Sequence, residues 1–318
     1  MLAYALNRLL AAVPALLGGS AIIFFSLRIL TPVDIIEESL SEGAGAGDPI
    51  LREKLRAEFG LDRPMPLQYI AWLWGAVRGD LGTSWMTGRP VLENIAGALP
   101  VSLEITLFAL ALALVLGIPM GVLSAIHRNS WVDYLLRLVA VVGLSVPSFV
   151  VATVLLVTPS IVWGWSPPVG YKAPWEDFRT HAVQMAMPLL ALSVGVAAVQ
   201  VRLLRSTLLE VLHHDYVRTG RAKGLPEGAV ISRHALRNSL IPVVTLLGTQ
   251  ASFTLGGSVV LENIFSLPGL GRLTLTAIDR GDFAQLQANI LYLLLIYVVM
   301  NLIVDISYAW LDPRIRYR

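Results

Sequence analysis

Six stretches of this chain are apolar over roughly the 20 residues that a helix needs to cross a hydrocarbon bilayer. They are Leu9–Leu30, Val101–Ile126, Tyr134–Trp163, Met185–Leu204, Ile241–Leu261 and Leu286–Trp310. Few other sequence patterns restrict a fold so strongly, and they predict an all-α membrane protein with six transmembrane helices. Charge agrees: 14% of the 318 residues are charged, against about 25% in an average soluble domain. The third and sixth stretches exceed what a bilayer requires, so tilt or extension into water is expected there. Trp163, Trp165, Tyr171, Trp175, Tyr308 and Trp310 stand at the ends of spans, where amphipathic rings prefer the interface. No small-residue cleavage pattern follows the first stretch, so it is read as a retained helix rather than a signal peptide.

Orientation follows from lysine and arginine near the span ends. The short connection after the second stretch has His127 and Arg128. The connection between the fourth and fifth has Arg202, Arg205, Arg218, Arg221, Lys223, Arg233 and Arg237 against Glu210, Asp215 and Glu227. The tail has Arg314, Arg316 and Arg318 against Asp312, whereas the connection between spans three and four is balanced. Both termini are therefore expected in the cytoplasm, which an even number of spans permits.

The predicted organisation is an N-terminal transmembrane helix (1–30), an external helical region (31–100), a five-span core (101–310) and a short tail (311–318). In the external region, Gly43–Gly47 forms a joint. Asp48 and Pro49 open a helix that stops at Gly60, the usual asymmetry of helix boundaries. Pro66 opens a second helix with Leu67, Ile70, Trp74 and Val77 at helical spacing, and Pro90 a short third one with Val91, Leu92 and Ile95.

Covalent chemistry finds little support. The chain has no cysteine, which excludes disulfides and thiolate catalysis. It has no Gly-Lys pair and so no phosphate-cradling loop of the G-x-x-x-x-G-K-[ST] type; any ATP must be held elsewhere. An intramembrane serine protease needs a histidine base within the bilayer, but His127, His181, His213, His214 and His234 all fall outside the apolar stretches. A stand-alone proton-coupled carrier is the alternative reading. It usually needs an ionisable group near mid-membrane, and Arg28, Glu104, Arg137, Glu262 and Asp305 sit near span ends. Glu104 and Glu262 could face a water-filled vestibule.

The third and fifth spans are the most polar. Ser145, Pro147, Ser148 and Thr153 interrupt the third; Thr245, Thr249, Gln250, Ser252, Thr254 and Ser258 dot the fifth. Such side chains serve either as packing contacts between helices or as the lining of a path for a hydrogen-bonding solute. On the second reading Ser145, Ser148, Thr249, Gln250 and Ser252 are the lining candidates. Gly117 and Gly121 form a GxxxG pair, read as a packing contact.

The basic connection carries more than topology. EVLHHDYVRTGRAKGL (210–225) followed by HALRNSLIP (234–242) resembles the cytoplasmic signature of oligopeptide/dipeptide-type permeases of ATP-binding-cassette importers. FGLDRP (59–64), GDLGTS (79–84), GIPMGVLSA (117–125), ENIFSLPGLG (262–271) and LDPRIR (311–316) resemble the same family, so the likeness covers nearly the whole chain. It implies a coupling helix within the loop 205–242, docked on a cytoplasmic ATPase. The residues it points to are Asp215, Arg218, Arg221, Ala222, Lys223, Gly224, Leu225, His234, Arg237, Asn238 and Pro242. One departure stands out: the general importer motif begins Glu-Ala-Ala, and Arg218-Thr219-Gly220 occupies those positions.

The resemblance further implies location in a bacterial or archaeal inner membrane and a second homologous permease. It implies two ATPase subunits carrying ATP and Mg, an extracytoplasmic solute-binding protein, and no cofactor or nucleic acid on this chain. Dipeptides, oligopeptides, nickel and glutathione are all substrates within the family, and this sequence does not choose among them.

Overall fold

The computed structural model describes residues 2–30 and 63–311, with side chains over 9–29 and 63–303. The expected Gly43–Gly47 joint, the helix from Asp48 to Gly60 and the arginine tail lie outside the described residues. Among those residues the regular structure is helical, apart from an isolated bridge between Thr83 and Pro90. The helices are α1 (Leu2–Leu30), α2 (Met65–Val77), α3 (Val91–Ile126), α4 (Trp131–Ser145), α5 (Ser148–Trp163), α6 (Phe178–Val211), α7 (Asp215–Ala222), α8 (Glu227–Ile264), α9 (Leu270–Asp279) and α10 (Phe283–Leu311). Five are long and apolar enough to cross a membrane, or six spans result if the bent pair α4–α5 is counted as one.

Two compact units divide the chain: one reaches Pro100 and includes Pro268–Leu302, the other is Val101–Leu267 continued from Ile303. In the first, α2 packs on α1. Tyr69 Oη lies 2.9 Å from Ser20 Oγ and donates to Leu17 O at 3.1 Å, and the rings of Tyr69 and Trp72 lie against Phe24. The stripe Leu67, Ile70, Trp74, Val77 is the exposed face of α2 rather than the one turned to α1. The GDLGTS stretch forms a tight loop anchored on the start of α10: Ser84 Oγ donates to Asp282 Oδ2 at 2.5 Å, and Asn94 donates to Gln285 at 2.8 Å.

Two expectations require correction. The short helix predicted after Pro90 is not separate; it is the first part of the 36-residue α3, which continues through Pro100. A proline inside a helix removes one hydrogen bond and crowds the preceding turn. Here the helix continues past it, with buried positions at helical spacing on either side: Val91, Ile95 and Ala98 before it, and Ser102, Ile105, Ala109 and Ala113 after it. Nor is the apolar stretch 134–163 one helix. Proline disfavours helical backbone in the residue before it, and Val146 is extended (φ −93°, ψ 118°). Helix α5 then leaves α4 at 99°.

In the second unit α6 is the centre. Added as a methyl group, a Cβ at Gly117 of α3 would lie 2.9 Å from Gln200 Cβ and 3.2 Å from Ala197 O; one at Gly121 would lie 3.0 Å from Leu204 Cβ. The GxxxG pair is thus where α3 and α6 approach closely. On another side Gly143 of α4 meets Val194 and Ala198. Helix α8 runs antiparallel to α6: Thr207 pairs with Ser239 O, Gln200 with Gln250, and Leu192 touches Gly257.

Candidate functional site

Between α6 and the apolar part of α8 the chain makes a hairpin. Helix α7 buries only Val217 and Gly220, three residues apart and so on one face. Its other side chains point outward. Lys223 closes the helix, and Gly224 turns the chain with φ +79°, a backbone region open to glycine at no steric cost. Pro226 then caps α8, its extended backbone (φ −63°, ψ 143°) placing its carbonyl to accept from the Ala229 and Val230 N–H groups.

Side chains brace this turn. Arg221 grips Glu227 across it with Nη2 donating to Oε1 at 2.6 Å and Nε to Oε2 at 3.1 Å. These bonds hold the Glu227 carboxyl below the usual carboxylate range and the guanidinium above its own. Asn238 Nδ2 donates to Tyr216 Oη at 2.7 Å, and Tyr216 stacks on His214. The first turn of α8 is followed by a π-helical segment, Val230–Ala235. Val230 and Ala235 are both buried, five residues apart, the repeat of a π turn rather than an α turn. Ala235 packs with Ala125 and Leu208, so the hairpin rests on the ends of α3 and α6.

The predicted loop residues therefore divide. Asp215, Arg218, Arg221, Ala222, Lys223, Gly224, Leu225, His234, Arg237 and Asn238 are exposed on the hairpin, and Pro242 is half-buried within α8. Arg218 and Asp215 form only a loose 3.8 Å pair, leaving the guanidinium largely in solvent. Gly220 has room for a methyl group, whose nearest neighbour would be Leu225 Cδ1 at 3.7 Å.

The polar-path candidates are less unified. Ser145 and Ser148 flank the α4–α5 break, and Ser145 donates to its own helix at Val141 O. Thr249 is exposed and bonded to Leu246 O. Gln250 Oε1 accepts from Gln200 Nε2 at 2.6 Å, and Ser252 Oγ has no partner among the described residues. Among those residues no hydrogen bond joins the α4–α5 serines to the α8 group.

Of the two carboxylates that could face a vestibule, Glu262 does not: its side chain is fully buried and its Oε1 accepts from Ser102 Oγ at 2.7 Å and Ser258 Oγ at 3.0 Å. Small hydroxyls one helical turn away and on α3 make this pocket for it. Glu104 is paired with His181 at 2.6 Å, whose other ring nitrogen meets Lys172 O.

One cluster joins residues far apart in sequence. Arg205 of α6, counted above only as a topogenic charge, makes two 2.7 Å bonds to Asp133 of α4. Asp133 also accepts from Ser124 Oγ at 2.6 Å and from the Asn129 N–H. Its one advance sign was position: Ser130 followed three residues later by an acid, a helix-start pattern. No group of three or more metal-ligating side chains converges among the described residues.

Residues 117–317 match the family described as binding-protein-dependent transport system inner membrane component. Over its full length the chain is 40% identical to the glutathione transport system permease protein of Pectobacterium atrosepticum, covering all of both chains. It is 38% identical to the protein of the same name from Escherichia coli K12, again over all of both. A Brucella suis protein whose name places it with the peptide permeases is 38% identical over 99% of each chain. In fold, the chain is similar to a chain of the MetNI methionine ABC transporter in an inward-facing conformation (TM-score 0.55, 19% identity, 69% of this chain and 96% of that one). It is also similar to an amino acid ABC transporter chain (TM-score 0.51, 14% identity, 70% and 94%).

Proposed function

Since the chain belongs to the family of inner membrane components of binding-protein-dependent transport systems, we propose that it carries glutathione, di- or oligopeptides, or a related polar solute into the cytoplasm, driven by ATP hydrolysed on partner subunits. In this reading six spans with both termini cytoplasmic form the path, counting α4–α5 as one. The core 101–310 carries the coupling loop. A second homologous permease and two ATPases complete the transporter, with ATP and Mg on the ATPases, and an extracytoplasmic binding protein delivers the solute. The chain itself makes and breaks no covalent bond.

The observation that carries this reading is the hairpin 215–242. It is seated by Val217, Gly220 and Ala235, stapled by Arg221–Glu227, and presents Arg218, Lys223, Arg233 and Arg237 to solvent. A rigid, basic projection between two long helices can steer and hold an acidic partner surface. It can also transmit that partner's movement to α6 and α8 as rigid bodies. The solute class is argued from the full-length relatives named for glutathione and peptide transport.

Co-isolation and uptake test it together. The tagged chain should come out of mild detergent with two ATPases and a second permease, and the reconstituted complex should accumulate glutathione or a small peptide only with ATP and the binding protein present. Isolation of the chain alone, with uptake driven by a proton gradient and indifferent to ATP, would establish the carrier reading instead.

A further inference from the structure

Midway along the α6–α8 contact two glutamines meet. Gln200 is fully buried and donates Nε2 to Gln250 Oε1 at 2.6 Å, yet its own Oε1 has no partner among the described residues. Gly117 of α3 crowds the base of the Gln200 side chain. Gln250 lies on α8 about 16 Å from the Thr207–Ser239 contact at one end and about 10 Å from the Leu192–Gly257 contact at the other, at 1.5 Å per residue. Gln250 falls near the middle of the apolar stretch Ile241–Leu261, and Gln200 about 6 Å inside the end of Met185–Leu204. A buried amide with one end unpaired is less favourable there than an apolar side chain of equal volume. Packing alone therefore does not explain why two glutamines occupy this level.

Gln250 is only half-buried. With its oxygen committed to Gln200, its amide N–H groups are the end left to turn outward. The neighbouring exposed positions on α8 are mixed: Thr249 and Gly256, with open space beside Gly256, and Phe253 between them. On this mixed face the Thr249 hydroxyl, the Gly256 backbone and the Gln250 amide offer hydrogen bonds that lipid chains do not use and a polar solute does.

We propose that Gln200 is a positioning residue that fixes the Gln250 amide so that its N–H donors meet a carbonyl or carboxylate oxygen of the passing solute, giving the membrane path its preference for peptide-like cargo. The inference rests on the transport reading above and adds to it the recognising group and the solute atom recognised. Held by the Gln200 bond, Gln250 offers its donors without first having to break a contact, so the gain on meeting an acceptor is not spent on reorientation.

The test uses the complete reconstituted transporter with its binding protein, and glutathione and tri-alanine as probes. Gln200→Met and Gln250→Met keep side-chain volume and remove the amides. Each should lower the rate of solute uptake by about tenfold, the cost of one unmade hydrogen bond, and the double variant should be no worse than either, because the two act as one unit. Thermal stability of the assembled double variant should equal or exceed wild type, since replacing a buried polar pair with apolar groups is neutral or stabilising. Uptake within about twofold of wild type in both variants overturns the inference. So does a loss of uptake in the double variant that tracks a fall in its melting temperature, which assigns the pair to packing. If Gln200→Met does not assemble, the double variant, which leaves no amide unpaired, decides alone by the same criteria. A wild-type complex that moves neither probe overturns the transport reading itself, and this inference with it.

Discussion

Arg205 reaches across 72 residues of sequence to hold Asp133 in a two-point ion pair, both bonds 2.7 Å long. The Asp133 side chain is entirely buried while Arg205 keeps one-fifth of its side chain exposed. The contact ties the start of α4 to α6 just before α6 passes into the hairpin. Removing one member of a buried pair leaves the other uncompensated, at a cost of roughly 3–5 kcal/mol. Asp133→Ala should therefore lower the unfolding temperature of the detergent-solubilised subunit sharply. Asp133→Leu combined with Arg205→Met should recover most of the loss, because an apolar pair leaves no buried charge. Equal stability of Asp133→Ala and wild type would remove the pair from the account.

Gly117 makes a second, steric prediction. Any side chain there enters space held by Gln200 Cβ and Ala197 O, and neither can swing aside. Gly117→Val should separate α3 from α6 and cost about 1–3 kcal/mol of overpacking, read as a lower melting temperature. The same substitution at Gly97, which has nothing within 4 Å, controls for valine in a helix.

Much of this arrangement could be read from residue order, for definable reasons. Gly224 followed by Pro226 marks a turn because each restricts or frees the backbone locally, and Gly117 with Gly121 marks a close helix contact because the spacing puts both on one face. The Asp133–Arg205 and Gln200–Gln250 pairs could not be read in this way. Their members are separated by long stretches, and only the packing of α4, α6 and α8 brings them together. Pro90 was legible as the start of a helix for the same local reason, but the helix's length was not, because the chain continues as helix through Pro100. The same holds for α2, where spacing identified an apolar stripe but not which neighbour it would face.

Gly220 stands where the general importer motif has alanine. Its neighbour Leu225 leaves room for a methyl group, and its backbone is not in the left-handed region. Gly220→Ala should stabilise α7 by about 0.5–1 kcal/mol, the difference between these residues inside a helix. Slower amide exchange across 215–222 with undiminished uptake is the expected result. Faster exchange would mean that the glycine is required where it stands.

If the hairpin is where ATPase movement reaches the membrane helices, Gly224→Pro tests it directly. Gly224 has φ +79° and donates its N–H to Arg221 O at 2.9 Å; proline can adopt neither the angle nor the bond. The decisive measurement is the ratio of solute imported to ATP hydrolysed in proteoliposomes containing the whole transporter. With Gly224→Pro the subunit should still insert and the ATPases should still turn over, while that ratio falls at least about tenfold, the mark of lost coupling. A ratio equal to wild type in a fully assembled Gly224→Pro complex would contradict the role assigned to the hairpin.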